Sequence, residues 1–328
     1  MERELAIEFV RVTEAAAIAS ATWMGRGDKE SADQAAVDAM RGMMDTVDID
    51  GEVVIGEGEI DEAPMLYIGE KIGAREGEVP EVDIAVDPLE GTTITAEGRN
   101  NALSVLAVAE RGGFLNAPDM YMDKVAVGPE GAGHVDIEAS PAENIENVAA
   151  AMGKPVDEIT VFVLRRPRHR KEGGLVDQVR DVGAKIKLKK DGDVAGGLAT
   201  GLEDTDVDVL MGIGGAPEGV LAAAGLKCLR GELQARLAPE TDEQRDRIRE
   251  MGIEDVERPL RMDDLAGGEN VIFSATGVTN GEMLDGVRFD AGEAVTESVV
   301  LRSKTGTQRF IEASHDLDRK PLPEYKGK

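Results

Sequence analysis

Two carboxylates and a threonine follow a short apolar run, and their order suits phosphate-ester chemistry. The run Ile84–Val86 is long enough for a buried strand, and Pro88 is expected to end its ladder because proline has no N–H to donate. Asp87 and Glu90 then lie where the strand meets solvent. Their oxygens suit a hard divalent cation, and Thr92 could hold an attacking water. The alternative is an aspartate that only caps the next helix.

A second acidic corner follows another short β-branched stretch and contains four carboxylates within six residues. These are Glu57, Glu59, Asp61 and Glu62. Like charges this close repel one another unless a cation lies among them, which again favours a metal site. Solvated surface acids are the alternative in so acidic a chain. The flanking Gly56 and Gly58 weigh against it, because glycines expose and direct the backbone where a surface acid needs neither.

A third acid lies near the start of a helix. Helical spacing of apolar residues predicts a helix over 5–23, and a second helix is expected to start at Ser31, which has capping-box spacing to Gln34. Asp33 then falls in the first turn, where the helix dipole favours a negative charge, so a metal is not required to explain it. Lys29 is a flexible cation of the preceding loop that could meet a phosphate or could simply be solvated.

The stretch Val207–Ala224 predicts a strand, a glycine turn and an alanine-rich helix, which is the form of a phosphate-binding or dinucleotide-binding loop. It does not match the dinucleotide fingerprint, because Pro217 occupies the position of the third glycine, and the chain has no Gly-Lys-Ser/Thr P-loop. Glu218 at the helix start is therefore interpreted as a further metal ligand or as a partner of the helix dipole.

Seven motifs occur in an order that resembles one known family. They are Arg3–Phe9, Gly25–Lys29, Gly56–Pro64, Asp87–Thr92, Asn116–Tyr121, Asp191–Asp193 and Gly214–Gly219. The chain resembles the class II (GlpX-type) fructose-1,6-bisphosphatases, and the match continues to Phe273–Gly277 and to Asp318–Lys320. The central Asp-Pro-x-Glu-Gly-Thr is also similar to the signature of the lithium-sensitive, metal-dependent phosphatase superfamily, which includes inositol monophosphatases.

The resemblance implies roles for individual residues. The implied metal ligands are Asp33, Glu57, Asp87, Glu90 and Glu218. The implied substrate contacts are Glu90, Gly91 and Thr92 at the scissile phosphate, with Tyr121, Arg166, Pro167, Arg168, Asp191, Gly192, Asp193 and Gly215 around the sugar bisphosphate. The implied catalytic residues are Lys29, Asp61 and Thr92. Thr93 stands where some relatives carry a basic residue, which leaves the preference among sugar bisphosphates open.

The implied reaction is hydrolysis of the 1-phosphate of fructose 1,6-bisphosphate to fructose 6-phosphate by a metal-activated water, with Mn²⁺ or Mg²⁺, in gluconeogenesis. Another phosphate ester, such as sedoheptulose 1,7-bisphosphate or an inositol phosphate, is an alternative substrate. A catalytically silent protein that binds sugar phosphates or metal is an alternative of another class. The intact set Lys29, Asp61 and Thr92 weighs against it, because a binder has no use for a water-orienting hydroxyl.

Two basic windows stand out in a chain with 65 acidic and 37 basic residues. Arg165–Lys171 contains no acid and follows an apolar strand, and arginine forks there suit the second phosphate of a bisphosphate. Lys185–Lys190 alternates lysines with apolar residues, as on a half-buried strand. For Lys185 and Lys187, ligand binding and the protection of an exposed sheet edge are equally good interpretations.

The length and the alternation of strands with helices predict an α/β layered fold, and the resemblance implies the sugar phosphatase fold, with alternating layers of helices and mixed sheets. Two subdomains are expected, 1–156 with most metal ligands and 157–328 completing the site. A homo-oligomer, dimer or tetramer, is implied by the resemblance alone.

The composition limits the kinds of partner that the protein is expected to bind and the cellular compartment in which it is expected to lie. A net charge of −28 and only ten aromatic residues argue against a nucleic-acid partner, and no stretch approaches a membrane span. The single Cys228 and the charged start Met1–Glu4 predict a cytoplasmic protein with a small-molecule substrate. The acid excess exceeds what five ligands explain, and it suggests a salt-rich, halophilic cytoplasm.

Overall fold

The computed structural model describes residues 4–58, 65–75, 77–117, 119–203, 205–250 and 252–319. The chain divides into two compact units, Met1–Phe114 with Gly268–Lys328, and Leu115–Gly267. These bounds differ from the predicted division into 1–156 and 157–328. The C-terminal residues belong to the first unit because the strand that begins at Ile272 pairs with Leu103–Glu110.

The described residues form helices and strands that alternate in part. The helices are α1 Leu5–Ala21, α2 Lys29–Met44, α3 Thr92–Ala96, α4 Pro141–Met152, α5 Pro167–Arg170, α6 Leu175–Asp181, α7 Asp193–Ala199, α8 Ala216–Leu229, α9 Asp242–Glu250 and α10 Met262–Leu265. The strands are β1 Asp50–Ile55, β2 Lys71–Ile72, β3 Glu81–Glu90, β4 Leu103–Glu110, β5 Tyr121–Val127, β6 Thr160–Leu164, β7 Lys185–Lys189, β8 Val209–Gly215, β9 Glu232–Leu237, β10 Ile272–Gly277, β11 Arg288–Asp290, β12 Glu293–Arg302 and β13 Thr307–Asp316. Strands β1–β3 come in succession after α2, and β10–β13 come in succession after α10.

The first unit is built on a mixed sheet with α1 and α2 packed against it. Its strand order in the described residues is β11-β12-β10-β4-β3-β1-β2, and β13 pairs with β12. Only the β1–β3 pair among these is parallel. Phe9 of α1, Met40 of α2 and Ile84 of β3 are fully buried members of one hydrophobic core. Burial of these apolar side chains holds the two helices on the sheet.

The second unit contains a mixed sheet with the order β7-β6-β8-β5-β9 in the described residues. β6 pairs in parallel with β7 and β8, whereas β5 is antiparallel to β8 and β9. One core joins Ile145 of α4 and Val179 of α6 to Val125 and Val161 of the sheet. The α/β fold class with mixed sheets is therefore confirmed. No helix in the described residues is long and apolar enough to cross a membrane.

The start of α2 differs from the prediction. Asp28, not Ser31, is the N-cap residue, and its carboxylate accepts the Ser31 N–H at 3.0 Å and the Ser31 hydroxyl at 2.7 Å. A carboxylate is a stronger acceptor at a helix N-terminus than a hydroxyl, because it also interacts with the dipole. The helix therefore begins at Lys29, which was expected in the loop. α1 ends at Ala21, two residues before the predicted end.

Pro88 does not end its strand as expected. β3 continues through it to Glu90, but the ladder to β4 shifts register between Asp87, which pairs with Val105, and Glu90, which pairs with Leu103. The missing N–H of proline is tolerated at such an irregularity, where the ladder is already broken. The predicted strand and alanine-rich helix at 207–224 are present as β8 and α8.

Candidate active site

The end of β3 presents acids and a threonine on a tight turn. The Asp87 carboxylate accepts the Leu89 N–H at 3.1 Å, and Glu90 is buried, with 5% of its surface exposed. Gly91 has φ +96° and precedes α3, whose first residue is Thr92. A side chain at Gly91 would be strained at that φ and would lie 3.1 Å from Ile94 Cδ1. The glycine therefore allows the chain to turn directly from the acids to the threonine.

Asp33 and Glu57 form a like-charged pair in the first unit. Burial raises the pKa of Glu57 to about 7, and the charge of Asp33 adds to the shift. Burial also raises the pKa of Asp33. Two carboxylates whose charged forms are disfavoured in this way suit a site that receives a cation. This arrangement distinguishes Glu57 from a solvated surface acid.

The backbone around Glu57 is fixed by a close approach of two segments. The Glu57 N–H donates to the Leu66 carbonyl at 3.0 Å. A side chain at Gly56 would lie 1.9 Å from the same carbonyl oxygen, so only glycine fits there. This is the physical reason for the glycine that the sequence analysis singled out. Glu59, Asp61 and Glu62 lie outside the described residues.

The predicted carboxylates are divided between the two units. Asp33, Glu57, Asp87 and Glu90 belong to the first unit and Glu218 to the second. Within the described ranges, no group of three or more His, Cys, Asp or Glu side chains is placed to hold a metal ion. The donor set still fits a hard cation in kind, because every candidate ligand is a carboxylate and the Asp33–Glu57 pair carries surplus negative charge.

The predicted substrate contacts in the second unit form two neighbouring pairs. The Arg168 guanidinium lies 4.2 Å from the centre of the Tyr121 ring and forms an ion pair with Glu240 at 3.2 Å. Arg166, the residue before α5, approaches Asp191 with Nη2 and Oδ1 3.5 Å apart. A stacked guanidinium keeps its in-plane N–H groups directed outward, which suits phosphate binding.

Two of the remaining predicted contacts, Asp193 and Gly215, meet at a lysine that the sequence analysis missed. Asp193, which follows Gly192 at the start of α7, is buried and forms an ion pair with Lys124 Nζ. The same Nζ donates to the Gly215 carbonyl at 2.8 Å. Only 3% of the Lys124 side chain is exposed. Its signal in the sequence is a single lysine next to the apolar run Val125–Val127.

Glu218 lies in the first turn of α8 beside this lysine. Burial raises its pKa, the charge of Asp193 raises it further, and Lys124 opposes the shift. Asp119 adds a smaller like-charge effect. A side chain at Gly215 would lie 1.9 Å from Glu218 Oε2, so the carboxylate folds back over the end of β8 only because that residue is glycine. One buried lysine thus faces an excess of acids.

His169 lies within the basic window Arg165–Lys171, and its hydrogen bonds decide whether it can contact substrate. It is satisfied, because Nδ1 lies 2.7 Å from the Leu164 carbonyl and Nε2 accepts the Ile213 N–H at 2.9 Å. It is buried rather than on the surface. Since both ring nitrogens are engaged, the structure gives it no role in holding substrate.

The buried ring predicts a pH dependence of stability. Burial lowers the pKa of His169 from 6.5, and the charges of Arg168 and Arg166 lower it further. The contact with the Leu164 carbonyl and the charge of Asp123 oppose this shift. The unfolded chain therefore binds more protons below about pH 6.5, so stability is full above that pH and falls as the pH drops towards the folded pKa. The free energy of unfolding, measured with urea between about pH 5 and 7.5, should depend less on pH in His169→Gln than in the wild type. An unchanged pH dependence would contradict this account of His169.

The lysine window forms an edge strand. β7 lies at the end of the five-stranded sheet, and Lys187 forms an ion pair with Asp206. Charged side chains at an edge disfavour pairing with other chains. This geometry favours the edge interpretation over ligand binding for Lys187.

Comparison with known proteins identifies the family. The profile of the family "Bacterial fructose-1,6-bisphosphatase, glpX-encoded" matches residues 3–315. The chain belongs to this family. It is 51% identical over 333 residues to Fructose-1,6-bisphosphatase 1 class 2 of Escherichia coli (strain K12), covering 98% of this chain and 97% of the relative. It is 47% identical over 331 residues to a class 2 fructose-1,6-bisphosphatase of Haemophilus influenzae, covering 97% and 98%. The resemblance expected from the motifs is confirmed.

Proposed function

We propose that the protein hydrolyses the 1-phosphate of fructose 1,6-bisphosphate to fructose 6-phosphate and phosphate, as a step of gluconeogenesis. The observation that carries the proposal is the turn at the end of β3, where buried Glu90, Gly91 at positive φ and Thr92 are consecutive and lie shortly after Asp87. Membership of the fructose-1,6-bisphosphatase family supports the choice of substrate.

A divalent cation, Mn²⁺ or Mg²⁺, is part of the proposal. The residues that would hold it are Asp33, Glu57, Asp87, Glu90 and Glu218. When bound, such an ion neutralises phosphate oxygens and lowers the pKa of water. Its support is the all-carboxylate donor set and the raised pKa values of Glu57, Asp33 and Glu218.

The remaining roles in catalysis and substrate binding are assigned to side chains of the protein. The Thr92 hydroxyl would orient the attacking water, and Asp61 would accept its proton. Lys29, at the exposed start of α2, would offset charge on the reacting phosphate. The Arg166 and Arg168 pairs would hold the second phosphate, and Asp191 with Asp193 would accept hydrogen bonds from sugar hydroxyls.

A substrate panel tests the proposal. Metal-stripped protein is assayed with Mn²⁺, Mg²⁺ or EDTA against fructose 1,6-bisphosphate, sedoheptulose 1,7-bisphosphate and inositol 1-phosphate. Metal-dependent release of phosphate with fructose 6-phosphate as product is expected. If the protein prefers sedoheptulose 1,7-bisphosphate or inositol 1-phosphate, the proposed substrate is wrong, but the proposed metal-dependent hydrolysis stands. Binding of sugar phosphates without any release would favour the silent binding protein.

We propose that the acid excess adapts the protein to a salt-rich cytoplasm. The net charge is −28, so the acidic side chains repel one another. This repulsion is strong at about 0.1 M salt, where the Debye length is about 10 Å, and weak at about 1 M salt, where it is about 3 Å. The melting temperature is expected to rise by several degrees from about 0.1 M to about 1 M KCl. Sodium perchlorate at equal ionic strength separates screening from salting-out effects. A flat or falling melting temperature in KCl would contradict the proposal.

Assembly and location complete the proposal. We propose a homo-oligomer, dimer or tetramer, for which the family resemblance is the support. The single cysteine, Cys228, is buried in α8, which is compatible with a reducing cytoplasm.

A further inference from the structure

Lys124 is one of the most thoroughly buried charged residues in the described part of the second unit. It lies in β5 and is 3% exposed, yet its ammonium group donates to Asp193 Oδ2 and to the Gly215 carbonyl. Removing an ammonium from water is unfavourable unless charge and hydrogen bonds compensate. The two acceptors supply this compensation, and both belong to residues of the proposed substrate site.

Three glycines make room for this cluster. A side chain at Gly214 would lie 2.3 Å from Asp193 Oδ2 and 2.9 Å from Lys124 Nζ. One at Gly219 would lie 2.6 Å from Met122 Sδ and 3.2 Å from Lys124 Cδ, and one at Gly215 would collide with the Glu218 carboxylate. A larger residue at Gly214 would therefore displace the charged atoms of the Lys124–Asp193 pair, and the other two glycines leave room for the side chains beside it.

Stability alone does not account for a lysine at this position. β5 is already held by seven register pairs to β8 and six to β9. Its neighbours on the same face, Met122 and Ala126, are fully buried and apolar. An apolar pair would satisfy the positions of Lys124 and Asp193, because replacing both members of a buried ion pair by hydrophobic side chains is often neutral or stabilising. The lysine therefore needs an explanation outside the core.

We propose that Lys124 is a positioning residue of the substrate site: its ammonium group fixes the Asp193 carboxylate and the Gly215 carbonyl in the orientation that receives the sugar. This inference rests on the proposed function. The Asp193 carboxylate and the Gly215 carbonyl share this one ammonium group as donor. Without it, the buried Asp193 carboxylate would lose its charged partner and its fixed rotamer.

The test compares Lys124→Met with Lys154→Met. Lys154 forms an ion pair with Asp208 in the same unit, so its variant controls for loss of an ion pair. Lys124→Met leaves the buried Asp193 carboxylate unpaired and should lower the free energy of unfolding. In the folded variant, KM for fructose 1,6-bisphosphate is expected to rise about 10-fold or more, with a smaller change in kcat. The calorimetric Kd for fructose 6-phosphate in the presence of Mn²⁺ should rise in parallel. Lys154→Met should leave both constants unchanged.

A double-mutant cycle separates positioning from packing. If Lys124 acts through Asp193, Lys124→Met combined with Asp193→Asn should raise KM no more than the larger single effect. Lys124→Gln, which keeps N–H donors without the charge, should give an intermediate KM and serves if the methionine variant does not fold. A folded Lys124→Met or Lys124→Gln with wild-type KM and Kd overturns the inference, and so do additive effects. Wild-type protein that neither hydrolyses fructose 1,6-bisphosphate nor binds fructose 6-phosphate overturns the proposed function as well.

Discussion

Glu57→Gln is expected to lower kcat/KM for metal-dependent phosphate release by roughly 10²–10³-fold and, at the same time, to stabilise the metal-free protein. The two effects have one cause. Burial and the charge of Asp33 raise the pKa of Glu57 to about 7, so the folded protein holds an unfavourable charge at neutral pH. Glutamine keeps the shape and removes the charge, which should add on the order of 1 kcal/mol to the free energy of unfolding.

Chemical unfolding in EDTA and phosphate release with Mn²⁺ measure the two effects on the same preparations. Asp38→Asn is the matched control, because Asp38 lies on α2 five residues after Asp33 and its carboxylate accepts only a hydrogen bond from Gln34 in the described contacts. It should change neither quantity. Loss of stability together with activity in Glu57→Gln would identify Glu57 as a structural residue and contradict its role as a ligand.

Thr92→Val is expected to lower kcat by roughly 10²-fold with little change in KM, because the substitution keeps the β-branched shape and removes only the hydroxyl that would orient water. Thr92 is the first residue of α3, directly after Gly91, so its hydroxyl is set by the turn that presents Glu90. Steady-state kinetics at saturating metal measure the effect.

Thr93→Val provides the control for this substitution. Thr93 is the next residue of the same helix and is equally half-buried, but the proposed mechanism gives its hydroxyl no function. It should retain kcat close to that of the wild type. Equal losses in the two variants would indicate a general disturbance of α3 and would remove Thr92 from the mechanism.

Much of the fold follows from local patterns in the sequence. The apolar spacing of α1 and the strand-glycine-helix order of β8 and α8 are strong signals in the sequence, because burial of one face dictates the periodicity of the apolar residues. The order of motifs was enough to place the chain in its family. The glycine at position 56 was singled out because glycines expose and direct the backbone, whereas the structure gives a different reason, the close approach of the Leu66 carbonyl.

Other features depend on competition or on distant contacts, which local patterns do not contain. Asp28 caps α2 in place of Ser31, because its carboxylate accepts both the N–H and the hydroxyl of Ser31 and the helix begins two residues earlier than predicted. Lys124 and Asp193 form their ion pair across 69 residues of sequence, so the residues next to either one do not predict the contact. The C-terminal strands return to the first unit through the pairing of β10 with β4, which a division of the chain into consecutive halves does not anticipate.

The measurement that tests the central claim most directly is the phosphate released from fructose 1,6-bisphosphate by metal-stripped protein as Mn²⁺ is added back, with the sugar product identified by ³¹P NMR. The account predicts no release in EDTA, saturable restoration by Mn²⁺, and fructose 6-phosphate as the product. Release that is unaffected by EDTA, or fructose 1-phosphate as the product, would contradict it.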